Sequence, residues 1–311
     1  MTEIGSYVPQ FILRSKTRIS QCQCASCRVR SPLVTHAWTN HVRQSALLQC
    51  ETVSREALFE RDAFELQTIT ADVGQDAELD AWQNGVNQAC IYLLLEQGLS
   101  IPERLHAIGV LLSRVSHAGD AQRDPALPIA VVEELIGLAG HGVLQERVAQ
   151  MPIIEQYKRA YLRRLARVRM CLDLDSTSSM LLNLKLTELQ VISDGFLADA
   201  LREFEQSRAV EKFFDKHDYV WQNYFLYRCF HEVFPGADPE LYDLAFLDMC
   251  LDYFCLRSLC AILVSSQVDL DEDVVSSLFC AWQRNGKTSL GRDDHTDPLL
   301  IGFTLVGEVH D

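Results

Sequence analysis

The sequence predicts an all-α fold: a multi-helix bundle behind an irregular cysteine-bearing N-terminal leader. Three observations predict it. From Ser54 onward apolar residues recur at helical spacing almost without interruption. Residues 1–50 are instead polar, basic and cysteine-rich, with Pro9 and Pro32 and no sustained helical period. Finally, no G-x-G-x-x-G follows a strand anywhere, which argues against the ordinary doubly wound nucleotide fold. These shifts divide the chain into a leader at 1–53, a helical domain at 54–210 and a C-terminal helical domain at 211–311.

Ser54 is placed to cap a first helix running through REALFERDAFEL, with Ala57, Leu58 and Phe64 on its buried stripe. Leu79 to Leu95 and Pro102 to Val115 read as two more, the second capped by Ser100, with Pro102 at a permissive early position. Pro125 and Pro128 precede a helix through VVEELIGLA, ended by Gly140 and Gly142 around His141. Ile153 to Leu172 is the most amphipathic segment: Tyr157, Tyr161, Leu162, Leu165 and Val168 share one arc, and Arg159, Arg163, Arg164 and Arg167 the other. Those arginines read as a solvated or ion-paired face ahead of a dedicated site for an acidic ligand. After a break at LDSTSS the pattern predicts helices over Leu184–Phe204, Tyr219–Phe234, Pro239–Ser265 and Asp271–Trp282. Asp218 sits where it can cap the Tyr219 helix, and Phe234-Pro235-Gly236 stops it. The closing LLIGFTLVGEV reads either as a short strand or as an apolar tail.

Charge narrows the partners. Residues 1–50 carry a net +5, with Glu3 the only acid, and the remaining residues a net −20. So acidic a body repels phosphate backbones, which excludes general nucleic-acid binding as the expected role. The longest apolar stretch, Leu241 to Val264, is interrupted by Asp243, Asp248, Asp252 and Arg257, so no membrane insertion is expected. With no basic-then-apolar secretory start, the expectation is a cytoplasmic protein whose 11 cysteines are mostly reduced thiols.

Cys22, Cys24 and Cys27 form C-x-C-x-x-C, and Cys50 follows. Thiolates two and three residues apart in a loop converge on one ion, and a fourth from further along completes a tetrahedral set. Zinc, an iron-sulfur cluster and four separate surface thiols all remain open on spacing alone. His36 and His41 lie between them but share no helix face, and read as loop histidines. Cys250, Cys255 and Cys260 point 140° apart in succession around one helix and read as small core residues. The serine-hydrolase, P-loop and zinc-protease signatures are missing. In the aromatic run from Tyr219 to Phe234, Asn223 and Tyr224 stand out as substrate candidates, because a polar amide beside a phenol on an apolar helix needs a partner, internal or substrate.

WQNYFLYRCFHEVFP (Trp221 to Pro235), then ELYDLAFLDMCLDYFCLRSLCAILVSS and the helix start DLDEDVVSSL, resembles the C-terminal region of the bacterial flagellin lysine N-methylases, with Asn223, Tyr224, Phe230, Phe234 and Pro235 matching. The leader stretch CASCRVRSPLVTHAWTNHVRQSALLQCETVSREAL is similar to a second part of that family, with Cys27, Asn40, Arg43, Gln44, Ser45 and Cys50 in the matching places. Tyr7-Val8-Pro9-Gln10-Phe11 is similar to the family's opening, yet the Cys-Cys pair and Gly-Trp that follow in the family do not occur here. The chain is therefore identified as a member with a shortened or altered leader.

The resemblance implies a protein-lysine N-methyltransferase that acts on flagellin with S-adenosylmethionine and an iron-sulfur cluster, Cys27 and Cys50 being carried over and Cys22 and Cys24 added on spacing. Tyr224, His231 and Glu232 share one helix, but none stands out as the base that would deprotonate the substrate lysine. The altered leader also admits a catalytically silent helical protein that binds flagellin, or an interaction module stapled by zinc.

Overall fold

The computed structural model describes residues 3–72, 77–118, 123–172, 176–286 and 297–307. In chain order the elements are β1 (Glu3–Pro9), α1 (Gln10–Gln21), β2 (Leu33–Ala37), β3 (Val42–Ala46), α2 (Glu51–Leu58), β4 (Leu66–Asp72), α3 (Ala81–Leu95), α4 (Ile101–Ser116), α5 (Leu127–Gly140) and α6 (Val143–Ala149). Then follow α7 (Glu155–Leu165), α8 (Ser176–Val191), α9 (Asp194–Glu205), α10 (Arg208–Lys216), α11 (Tyr219–Glu232), α12 (Tyr242–Ser265), α13 (Glu272–Ala281) and α14 (Pro298–Val306). The fold is predominantly helical, as the sequence predicts, with the leader cysteines gathered near its N-terminal end.

Much of the leader is more regular than expected. It carries α1 and three strands that, with β4, form a sheet in the order β2-β3-β1-β4. β1 pairs parallel to β3 (Ser6 opposite Val42) and antiparallel to β4 from Glu3 opposite Asp72 to Pro9 opposite Leu66. β2 and β3 form a hairpin with His36 opposite Arg43. Pro9 closes β1 and opens α1, where its missing N–H and fixed φ are harmless. The helix expected from Ser54 starts earlier: Cys50 occupies the N-cap position, Ser54 is buried inside the first turns, and the chain leaves the helix at Leu58 to become β4.

Contacts group the chain into two compact units, residues 1–148 with 219–246 and residues 149–218 with 247–311. In the first, α3 is capped by Asp80, whose carboxylate accepts from the Gln83 amide at 2.9 Å. α4 opens with a reciprocal box: the Ser100 amide donates to Glu103 at 2.6 Å and the Glu103 amide to Ser100 Oγ at 3.4 Å. Trp221, Tyr224, Phe225 and Phe230 of α11 are buried in this unit. Gly236, at φ +107, takes the left-handed conformation that turns the chain after α11.

In the second unit α7 ends at Leu165, seven residues short of the expected Leu172. Beyond it Val168, Met170 and Leu172 are buried while Arg167, Arg169 and Cys171 are exposed, an alternation of period two that a helix cannot produce. The expected helix Leu184–Phe204 is two, α8 and α9, broken at Ile192-Ser193; Arg163 donates to the Ile192 carbonyl at 3.0 Å and to Asp194 at 2.8 Å. Its neighbours on the basic face are also engaged, Arg159 with Glu155 at 3.6 Å and Arg164 over the Tyr161 ring. The closing apolar segment is neither strand nor tail through Val306. It is α14, capped by Asp297, which accepts from the Leu299 and Leu300 amides; residues 308–311 lie outside the described residues. Cys250, Cys255 and Cys260 are fully buried on α12. No single helix among the described residues is long and apolar enough to cross a membrane.

Candidate metal centre

The leader cysteines are positioned by the ends of two helices. Cys22 terminates α1, its amide donating to the Ile19 carbonyl at 3.2 Å. Cys50 begins α2, its carbonyl accepting from Ser54 at 2.8 Å. Between them the chain makes a tight turn in which the Arg28 amide donates to the Cys24 carbonyl at 3.1 Å and Arg28 Nε to the Gln23 carbonyl at 2.9 Å. Two sets of ion pairs hold α1 in place: Arg18 meets Glu56 of α2 at 2.7 Å, and Arg14 grips both carboxylate oxygens of Asp62 at 2.6 and 2.7 Å. Both of these bonds come from the one Nη1, a forked contact at a partly exposed site.

The result is that Cys22, Cys24, Cys27 and Cys50 converge, all four Sγ atoms lying within 4.8 Å of one another. That is close enough to hold a metal ion. Cys50 is buried and the other three are partly exposed, and all four are free thiols. Their acidities diverge. Burial alone raises the Cys22 thiol, but hydrogen bonds involving Thr52, the Cys24 backbone and neighbouring thiols outweigh it and bring it down to about 6. Burial, with the Cys50 and Cys24 sulfurs close by, pushes Cys27 well up. Burial also pushes Cys50 up to about 12, against the hydrogen bond from the Val53 backbone at the start of α2. Four sulfurs this close cannot all be anionic unless a cation sits among them.

A second constellation in the same unit was not anticipated in full. Arg43 of β3 is 1% exposed. Its Nε donates to His41 Nε2 at 2.8 Å, Nη1 to the Cys229 and Phe230 carbonyls at 3.4 and 3.3 Å, and Nη2 to Asn84 and Asn87 at 3.4 and 3.1 Å. Asn87 in turn donates to the Cys229 and Phe234 carbonyls, both at 2.8 Å. This network ties β3 and α3 to the end of α11. His36 and His41, expected in a loop, belong to the hairpin: His36 lies on β2, and His41 stacks on Tyr7 with centroids 4.9 Å apart. His36 meets His231 edge-on at 5.2 Å, and His231 shares a 2.8 Å hydrogen bond with Ser45 Oγ. Burial and the Arg43 charge lower His36, and lower His41 to about 4.

The two substrate candidates lie on the inward side of α11. Asn223 donates its amide to the Leu58 and Glu60 carbonyls at 3.1 and 2.8 Å, the internal one of its two possible kinds of partner. Tyr224 is fully buried beside Trp221 and Phe225. Glu232 accepts from Arg228 Nε at 2.7 Å.

The leader motif residues therefore divide by task. Cys27 and Cys50 join the sulfur cluster, whereas Arg43 and Ser45 bond to groups of α3 and α11, and Asn40 donates to the Leu79 carbonyl at 3.0 Å and accepts from the Leu79 amide at 2.9 Å.

Comparison with known proteins gives one family. The model described as FliB lysine N-methylase C-terminal domain matches residues 87–289, well over half of the 311. No curated protein and no solved structure matches significantly.

Proposed function

Because the chain belongs to the FliB lysine N-methylase family, we propose that it is a protein-lysine N-methyltransferase that moves methyl groups from S-adenosylmethionine to lysines of flagellin in the cytoplasm. The family match over residues 87–289 carries the reading. In the reaction the lysine nitrogen forms a bond to the methyl carbon as the carbon–sulfur bond breaks, and the electron pair stays on sulfur. The nitrogen must first lose a proton held with a pKa of about 10.4 in water, so a desolvating surface or a base has to act before attack.

The leader cysteines support a metal centre beside this chemistry. A tetrahedral ion with metal–sulfur bonds of about 2.3 Å sets its sulfurs about 3.8 Å apart. Sulfurs all within 4.8 Å fit that spacing. A multi-iron cluster spreads its cysteine sulfurs wider, because iron and sulfide atoms fill the centre. One ion, zinc or a single iron, is therefore favoured over the iron-sulfur cluster that the family resemblance implies. Cys22, Cys24, Cys27 and Cys50 would hold such an ion with all four of their thiolates, and it would staple the ends of α1 and α2 rather than act on substrate.

That closed shell also favours a second reading, a zinc-stapled protein that binds flagellin without modifying it. One assay separates the two. Purified flagellin incubated with the full chain and isotopically labelled S-adenosylmethionine gains label and mass on lysines under the first reading. Flagellin retained on immobilised chain with no mass gain supports the second, and neither transfer nor retention overturns both.

A further inference from the structure

Of the four clustered cysteines, Cys22 and Cys50 differ from the other two in how their backbone is held. Cys22 ends α1 and Cys50 begins α2. The Cys22 amide donates to the Ile19 carbonyl at 3.2 Å, the Cys50 amide to the Leu47 carbonyl at 3.0 Å, and the Cys50 carbonyl accepts from Ser54 at 2.8 Å. Ile19, three residues before Cys22, and Val53, three residues after Cys50, are fully buried. None of these contacts needs an ion. Cys24 and Cys27 instead hang from the exposed turn between α1 and β2, which an ion bound to their sulfurs would brace.

The Cys22 and Cys50 sulfurs are in contact at 3.6 Å. A disulfide brings two sulfurs to about 2.05 Å, a closure that side-chain rotation supplies while both helices stay seated. Exposure separates the two roles such a bond requires. Cys22 is partly exposed and can be reached by a small oxidant, whereas Cys50 is fully buried and meets only its neighbouring sulfurs. Cys27 also neighbours Cys50, but its turn loosens once an ion leaves, and the pair at the helix ends does not.

We propose that Cys22 and Cys50 form a reversible disulfide when the chain meets a hydroperoxide, releasing the ion the four sulfurs hold and joining the ends of α1 and α2 covalently in its place. The release rests on the four-thiolate centre proposed above; the bond does not, and neither depends on methyl transfer. The Cys22 thiolate attacks a peroxide oxygen, forming an S–O bond as the O–O bond breaks and hydroxide leaves. The Cys50 thiolate then attacks that sulfur, forming the S–S bond as the S–O bond breaks and a second hydroxide leaves. Two thiolates are oxidised and one peroxide is reduced. The bonded sulfurs have lost the charge that held the cation, so two of its four ligands go together.

Peptide mapping tests this. Full chain purified without oxygen is treated with hydrogen peroxide, alkylated, and digested with trypsin without reduction. Cleavage after Arg18, Arg28, Arg43 and Arg55 places Cys22, Cys24 and Cys27 in peptide 19–28 and Cys50 in peptide 44–55. The two peptides should appear joined, with fragmentation placing the bond at Cys22 and the alkyl groups on Cys24 and Cys27. The bond should form about tenfold faster than the exposed Cys171 is oxidised, dithiothreitol should reverse it, and a chromogenic chelator should register the ion as the bond forms. C22S should abolish the joined peptides and C24S should leave them; if C22S does not fold, fragmentation of the wild-type peptides decides. A main product joining Cys24 to Cys27, or Cys27 to Cys50, overturns the inference, as does oxidation of Cys171 at an equal rate. An ion retained with no bond formed overturns it and spares the four-thiolate centre. Joined peptides from a chain that carries no metal uphold the disulfide, and the centre is then what fails.

Discussion

The Cys22 and Cys50 sulfurs lie 3.6 Å apart although 28 residues separate them in sequence. Two helix ends produce this approach, with α1 seated by its buried Phe11, Ile12 and Ile19 and flanked by the pairs Arg14–Asp62 and Arg18–Glu56. Removing any ion held there should therefore loosen the turn between α1 and β2. Chelator-treated chain is expected to be cut by trypsin after the exposed Arg28 and Arg30 at least several times faster than untreated chain. Equal cleavage rates would mean that no ion braces the turn.

Arg43 and Asn87 act as one unit, joined at 3.1 Å and sharing the Cys229 carbonyl. R43M strands buried carbonyls, and N87L strands two carbonyls and a guanidinium donor. Each is expected to cost about 3 kcal/mol in urea unfolding. The double variant should cost at least about 1 kcal/mol less than the sum, because the second change removes groups already unpaired. Strict additivity would show that the contacts are energetically independent.

His41 makes the protein acid-sensitive. Its pKa lies at about 4, below the ordinary value near 6.5, because burial and Arg43 disfavour the imidazolium and because Nε2 accepts from Arg43. The unfolded chain thus binds this proton at a higher pH than the folded one. Stability is indifferent to His41 above about pH 6.5 and falls as pH drops toward 4. Tyr7, Trp38 and Arg43 surround the ring. With the imidazole half-buried and partly screened, its share is about 1–2 kcal/mol. H41Q should flatten the wild-type decline between pH 6.5 and 4 by that amount. His36 and His106 are lowered in the same direction, so a residual slope persists.

The reciprocal Ser100–Glu103 box is the simplest feature to test. S100A leaves a first-turn amide of α4 without its cap and should cost about 1 kcal/mol. A change within 0.2 kcal/mol, about the noise of such a measurement, would show that solvent replaces the hydroxyl.

The helical body was legible because its signals are local. Ser100 before Pro102, Asp271 before an apolar run, and Pro235-Gly236 after α11 each mark a terminus by backbone chemistry. Other local signals were present but outweighed. Ser193 before Asp194 is a helix start inside what reads as one long helix, and Asp297-Pro298 opens α14 where the apolar run suggests a strand or tail. The sheet is harder to read, since β2 and β3 have five residues each and the hairpin they form is marginal by itself until β3 also pairs with β1. In β4 the β-branched Thr68-Ile69-Thr70 was the available clue, hidden behind the helical pattern that precedes it.

The sulfur cluster was visible from spacing, which singles out all four cysteines. What spacing could not supply was the pinning of α1 against α2, because Arg14, Arg18, Glu56 and Asp62 look like ordinary surface charges in sequence. The Arg43 network was visible only as a match to a family pattern. Locally nothing marks Arg43 for burial, because Gln44 and Ser45 beside it are polar as well; its acceptors come from α3 and α11, far along the chain.

Metal and acid-labile sulfide content, measured on chain purified without oxygen, tests the four-thiolate centre most directly. The account predicts one zinc or iron atom per chain, no labile sulfide, and loss of the metal when Cys22, Cys24, Cys27 and Cys50 are together replaced by serine. A metal-free chain, or several irons accompanied by stoichiometric sulfide, would contradict it.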